Sequence, residues 1–363
     1  MTFPSIKDIF RKSYFYTAII TSLFVISAYA TNKYQSYSYK ETGVPAHIEL
    51  SPRLQNLFSK TKTICFGRYV LDVPEETQLT FGSFDMEVSI RVFPKQASEL
   101  KKVVDANRAK LLSKNPSAEV LYDAVGPTNA SWQIRSVSSQ HAKKLKLEDL
   151  MTFVVAGEHV FLLSDAIGDD EDTIDPALKR ATFIAQNLRA RDNADVPKEP
   201  GVCIDHGFIS ENSGKFQEIF SAGIYMPSIP DVNFSVMSNK NASTKGANGE
   251  GLISRHEAAM KEQGIAFPAS SDLTRLRIGK HVVNDWNGEE VLLRHNGKDG
   301  AFAHEFMWAF VGKTGDLTKP ASVDIQLDSG VGANTKLAKK SSITNDEAVA
   351  LWDKLLSSLR FRT

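Results

Sequence analysis

The chain opens and closes twice. A first stretch begins at Ile64-Cys65-Phe66-Gly67-Arg68-Tyr69-Val70-Leu71-Asp72-Val73-Pro74 and ends at Gln186-Asn187-Leu188-Arg189-Ala190-Arg191. A proline-bracketed segment, Pro197-Lys198-Glu199-Pro200, leads into a strand-like restart at Gly201-Val202-Cys203-Ile204-Asp205-His206-Gly207-Phe208-Ile209, and the second stretch closes on Ser357-Ser358-Leu359-Arg360-Phe361-Arg362. The only two cysteines mark the two openings. Such a parallel constrains the chain to two related domains, 61–193 and 201–363, with a linker at 194–200. With 363 residues, 42% hydrophobic and 24% charged, there is apolar material for two ordinary cores.

Ahead of the first domain, Lys7, Arg11 and Lys12 precede an uncharged run from Ser13 to Asn32 that ends near Ala28-Tyr29-Ala30. A basic start, an apolar middle and a small-x-small finish are the marks of an export signal. Residues 1–30 therefore read either as a cleaved signal peptide or as an uncleaved anchor of ~20 residues, just long enough to cross the hydrocarbon. Both place residues 33 onward outside the inner membrane, in the periplasm, and any membrane association is through that anchor alone. Residues 31–60 are polar and aromatic without a sustained period and read as a tether.

Within the first domain, Met86, Val88, Ile90 and Val92 alternate with polar residues at the period of a half-buried strand. A helix is expected from Ala97 to Leu112, and strands at Trp132 to Val137, Met151 to Val155 and His159 to Ser164, the last two joined by a tight turn at Gly157. Asp175 as N-cap and Pro176 at the first helical position open the closing helix. The second domain runs in the same order. Phe234 and Val236 alternate, a helix spans Glu250 to Gln263, and strands follow at Leu273 to Ile278, Glu290 to Arg294, Ala301 to Val311 and Ser322 to Leu327. Phe302, His304, Phe306, Trp308 and Phe310 share one strand face and read as a covered sheet surface. Thr344 and Glu347 have capping-box spacing ahead of a helix striped by Leu351, Trp352, Leu355 and Leu359. The expected fold is α+β: two similar domains, each a mainly antiparallel sheet with helices packed on one face.

The residues spell out no chemistry. His256-Glu257 begins like a zinc-protease helix but has Met260 where the second histidine must stand, and His304-Glu305 fails in the same way. No nucleophile elbow, phosphate loop or dinucleotide fingerprint occurs, and nothing calls for a cofactor or a metal. Lys plus Arg and Asp plus Glu both number 43, which removes the charge excess that would draw the chain to nucleic acid. Asp169, Asp170, Glu171 and Asp172 lack the spacing of a calcium loop and read as a solvated acidic loop able to meet a basic partner. Together with the polar loop from Lys240 through Lys245 to Gly249, it is the candidate partner contact. Cys65 and Cys203 leave two readings: a disulfide joining equivalent strands in an oxidising compartment, or two separate buried thiols.

Cys65-Phe66-Gly67-Arg68-Tyr69-Val70-Leu71-Asp72-Val73-Pro74, Gly201-Val202-Cys203 with Gly207-Phe208-Ile209, and Gly288-Glu289-Glu290 together resemble the periplasmic immunity proteins that protect bacteria against phospholipase effectors of type VI secretion. The resemblance covers residues 60 to 363. It implies a binding protein and no enzyme, a two-domain clamp that grips a cognate lipase effector in the periplasm and keeps substrate from its active site. Two other classes stay open from the residues alone: a periplasmic hydrolase whose nucleophile and base meet only in the fold, and an envelope module that holds a small ligand in a deep pocket between the domains.

Overall fold

The computed structural model describes residues 40–41, 48–114, 116–168, 174–240, 251–264, 273–297, 300–312, 322–330 and 340–362. The export segment at 1–30, the acidic run Asp169 to Asp172, and Lys245 lie outside the described residues. Among those described, no helix is long and apolar enough to cross a membrane.

The first half contains β1 (Lys40–Glu41), α1 (Pro52–Leu57), β2 (Thr61–Phe66), β3 (Tyr69–Pro74), β4 (Gln78–Asp85), β5 (Ser89–Phe93), α2 (Leu100–Lys114), β6 (Glu119–Val125), β7 (Ser131–Val137), α3 (Gln140–Lys144), β8 (Glu148–Ala156), β9 (His159–Ile167), α4 (Ile174–Asn187) and β10 (Leu188–Ala190). The second half contains β11 (Gly201–Ile204), β12 (Gly207–Ser210), β13 (Ile219–Tyr225), β14 (Asn233–Asn239), α5 (Leu252–Gly264), β15 (Leu273–Val283), β16 (Trp286–Asn296), β17 (Phe302–Val311), β18 (Ser322–Ser329), α6 (Asn345–Leu356) and β19 (Arg360–Phe361). The architecture is dominated by antiparallel sheet.

Read outward from its centre, the main sheet runs β4-β5-β9-β8-β7-β6 in one direction and β13-β14-β18-β17-β16-β15 in the other. The two halves thus repeat one topology strand for strand. They do not form a sheet apiece, however: β4 and β13 pair antiparallel, from Gln78 opposite Tyr225 to Asp85 opposite Ile219, and fuse the halves into one 13-stranded sheet that β1 completes beside β15. Each half's inner edge would otherwise present unpaired N–H and C=O groups, and the two edges satisfy each other.

The short end strands cross over. β10, which ends the first half, joins β12 and β11 of the second, while β19, which ends the second, joins β3 and β2 of the first. Matching backbone bonds lock both exchanges: Arg191 N donates to His206 O at 3.0 Å, and Arg362 N donates to Arg68 O at 2.8 Å. The paired endings Leu-Arg-Ala-Arg and Leu-Arg-Phe-Arg are therefore strands added to the other half. The segment 194–200 is held in place from both sides. Arg191 donates to Asp195 O at 2.6 Å, and Arg362 donates to Pro197 O at 3.0 Å.

The helices correct the expectation of one covered face. Side chains alternate along a strand, so Leu150 and Phe153 of β8 point to opposite sides of the sheet. Phe153 packs with Val103 and Val104 of α2, whereas Leu150 packs with Ala177 and Ala181 of α4. The second half repeats this arrangement. Val291 and Ala309 lie under Leu252 of α5, while Leu292, Phe306 and Trp308 lie on the side of Leu351 and Trp352 of α6. Each half is a sheet between two helices, and the aromatic stripe of β17 is the surface α6 covers, with the Phe306 and Trp352 rings 5.9 Å apart.

Residues 52–57 correct the tether reading. They form α1, whose Leu54 is fully buried in the main core. Ser51 caps this helix and donates to Glu347 Oε1 at 2.7 Å, so the capping box of α6 also fastens the N-terminal helix.

Candidate functional site

The motif residues converge on the junction between the halves. Cys65 on β2 and Cys203 on β11 are fully buried and bonded to each other, with Cα atoms 5.9 Å apart. Beside them Gly67 and Cys203 exchange two backbone bonds of 2.8 Å. Gly67 has φ of 54°, and a Cβ there would stand 2.4 Å from the ring of Phe220, so the position excludes any side chain.

Arg68 then reaches from the first half into the second. Its Nε donates to both carboxylate oxygens of Glu218 at 3.0 Å, its Nη2 bonds Glu218 at 2.7 Å and Glu211, and its Nη1 donates to Glu211 O at 3.2 Å. Burial disfavours the Arg68 charge, yet Glu218 and Glu211 outweigh it and raise the guanidinium pKa. Burial likewise opposes the Glu211 carboxylate, and bonds from Ser213 and Arg68 hold its pKa below the usual range. Lys240 completes the cluster, donating to Gly214 O at 2.7 Å with Glu218 at 3.4 Å. It is only 5% exposed, which corrects its reading as a surface contact: the ammonium is spent inside the junction.

The third motif is structural too. A Cβ on Gly288 would lie 2.3 Å from the Trp308 indole, and Glu289 accepts a bond of 2.9 Å from Ile253 N at the start of α5. Glu290 is buried, accepting from Trp352 Nε1 at 3.1 Å and Arg277 Nε at 2.5 Å, with His281 Nδ1 at 2.6 Å. Arg277 also holds Asp353 of α6. Sequence reading isolated these triplets but not their roles, because each partner stands on a different element.

His304, singled out earlier, does structural work. His304 is buried with Nδ1 2.6 Å from Ser329 Oγ and Nε2 3.0 Å from Asn345 Oδ1, and burial pushes its pKa down to about 4. Among the described residues no group of three or more His, Cys, Asp or Glu side chains is placed to hold a metal ion.

On the neighbouring strand pair, Glu305 faces Asp328. Burial and then the Glu305 charge push the Asp328 carboxyl up to about 6. A carboxyl whose folded pKa exceeds its unfolded value stabilises below the unfolded value and loses that contribution as pH rises through the folded one. Asp328→Asn is therefore expected to stabilise the protein by about 2–3 kcal/mol at pH 8 and by under about 1 kcal/mol near pH 4. Denaturant titrations at the two pH values check this, and an equal effect at both would contradict it.

Where the halves meet at the surface, a cavity of about 230 Å³ opens between β4 and β5. Gly82 and Arg91 are exposed at its mouth, and its depth is lined by the buried rings of Phe84, Phe161 and Phe220.

Residues 62–191 match the family model described as the N-terminal domain of Tle cognate immunity protein 4, and residues 195–363 match that of its C-terminal domain. No curated protein matches the chain. Among solved structures, the chain is similar to that of the Tle4–Tli4 complex, at 26% identity and a TM-score of 0.70, over 84% of this chain and 98% of the matched one. It is also similar to the apo immunity protein TplEi of the type VI secretion system of Pseudomonas aeruginosa, at 26% identity and a TM-score of 0.68, over 83% and 97%. The same TplEi in complex with an "L" peptide matches at 26% identity and a TM-score of 0.65, over 83% and 98%.

Proposed function

The chain belongs to the Tle cognate immunity protein 4 family, and from that membership we infer that it binds a cognate type VI lipase effector in the periplasm and neutralises it by covering the active site. The observation that carries this reading is the match of both halves to the family, together with near-complete coverage of the chain matched in the Tle4–Tli4 complex. The role is that of a non-enzymatic inhibitor built from two units, 61–193 and 201–363. Because one sheet, a disulfide and two exchanged strands join them, the units meet a partner as a single body. Such rigidity lowers the ordering cost of binding, and occluding a lipase pocket takes a buried interface of roughly 1,200–2,000 Å². The acidic run Asp169, Asp170, Glu171, Asp172 and the segment around Lys245 remain part of the proposed contact surface; Lys240 does not.

The test is rescue by compartment. Residues 31–363 exported to the periplasm are expected to restore growth to cells poisoned by the cognate lipase, whereas the same segment kept in the cytoplasm does not. Equal rescue from both compartments would refute periplasmic action, and no rescue from either would refute the immunity reading.

A further inference from the structure

The two halves share a topology, and they differ where β4 meets β5. In the second half the corresponding strands, β13 and β14, pair at every residue from Ile219–Asn239 to Tyr225–Asn233. In the first, β4 and β5 pair only at Phe84–Ile90 and Asp85–Ser89, although β4 has 8 residues and β5 has 5. The cause is an extra residue in β4. Gly82 and Ser83 together stand opposite Ser221, between the pairs Phe81–Ala222 and Phe84–Phe220. A bulge of this kind bends its strand. Gly82 lets the bulge pack closely, because a Cβ on residue 82 would lie 2.0 Å from Ser221 Oγ and 3.2 Å from Ser221 O. β4 stays with β13 while β5 stays with β9 along its whole length, and the sheet parts between them.

Backbone groups are left facing the gap. Met86 N donates to Val88 O at 3.0 Å, and antiparallel pairing alternates, so the peptide groups of residues 88, 90 and 92 point toward β4. Past Ile90 no residue of β4 pairs with them, and the N–H and C=O of Val92 face the cavity. Beneath lie Phe84, Phe161 and Phe220, all buried, and at the mouth stands the exposed Arg91.

Building on the immunity reading, we propose that this gap receives an extended segment of the lipase effector as an added strand. Its backbone pairs with Val92, one apolar side chain enters the cavity, and an adjacent carboxylate meets Arg91. An extended chain offers N–H and C=O on one side at every second residue while its side chains alternate, which answers a bare peptide group beside an apolar hole. A helix has its backbone groups already paired and, at about 10–12 Å across, is too wide for such an opening. A purely apolar small molecule fills the hole and leaves the Val92 peptide without a partner.

The probe is the lipase whose toxicity the chain relieves, with its nucleophile removed. In the wild-type complex, amide exchange at Val92, whose N–H faces the gap without a strand partner, is expected to slow at least tenfold relative to the free protein. Val92→Trp, which fills the cavity with an indole, is expected to raise Kd at least tenfold while leaving Tm within a few degrees. Unchanged exchange at Val92 would overturn the proposal however the variant behaves, and would leave the immunity reading intact. Absence of any complex with the wild-type protein would overturn both. Slowed exchange caused by phospholipid vesicles alone would overturn the added strand in favour of a lipid site.

Discussion

Replacing either Cys65 or Cys203 with alanine is expected to lower the unfolding free energy by about 5 kcal/mol. The bridge spans 138 residues, and in the chain-entropy model a loop of that length restrains the unfolded ensemble by about that amount. Alanine is the appropriate replacement because both sulfurs sit among Val70, Val196 and Phe208, where a serine hydroxyl would add a desolvation cost of its own. Each single change breaks the same bond, so the double variant is expected to match either single one. Urea titrations of the three variants measure this, and protein unfolded without reductant is expected to show no free thiols. A loss below about 1 kcal/mol would mean that the bridge contributes little beyond what the shared sheet already supplies.

Arg68→Met is expected to cost about 3–5 kcal/mol at pH 7, because removing one partner strands the others as uncompensated buried charge. The side chains of Glu211 and Glu218 are 1% and 4% exposed, and without Arg68 the cation left in the cluster among the described residues is Lys240. The pH dependence has a definite sign. In the wild type the depressed Glu211 pKa means stability that is present above the ordinary carboxylate range and lost as pH falls through the folded value. In the variant the guanidinium's share of that depression is gone while the bonds from Ser213 remain, so less of this stability is left to lose as pH falls. The difference between the two proteins is expected to shrink as pH drops below about 4. Arg68→Met combined with Glu218→Gln is expected to recover part of the loss. A variant as stable as the wild type across this range would show that the cluster contributes nothing net to holding the halves together.

What the amino-acid sequence determined by itself was local or repeated. The alternation of Phe234 and Val236 placed β14, the stripe from Phe302 to Phe310 placed β17, Gly157 placed the β8–β9 hairpin, and the Thr344–Glu347 spacing placed the start of α6. Each is a periodicity or a cap whose physical cause lies within one element. β4 and β13 escaped that reading. Gln78 to Asp85 carries a bulge, which breaks the two-residue period, and Ile219 to Tyr225 is cut by Gly223. The repeated openings and endings announced two related halves because repetition is visible without a fold. The tertiary structure alone decided how the halves join. That β4 finds β13, that β10 and β19 change sides, and that helices cover both faces of each half are outcomes of edge pairing and burial between elements far apart in the chain. The same distance explains the motif residues. Lys240 read as a surface contact and Arg68 as a motif residue without a role because the carboxylates that stabilise their burial stand elsewhere in the chain, with Glu218 150 residues away from Arg68 and 22 from Lys240. A buried charge is stable only with its partner present, and that partner is set by the packing of the whole sheet.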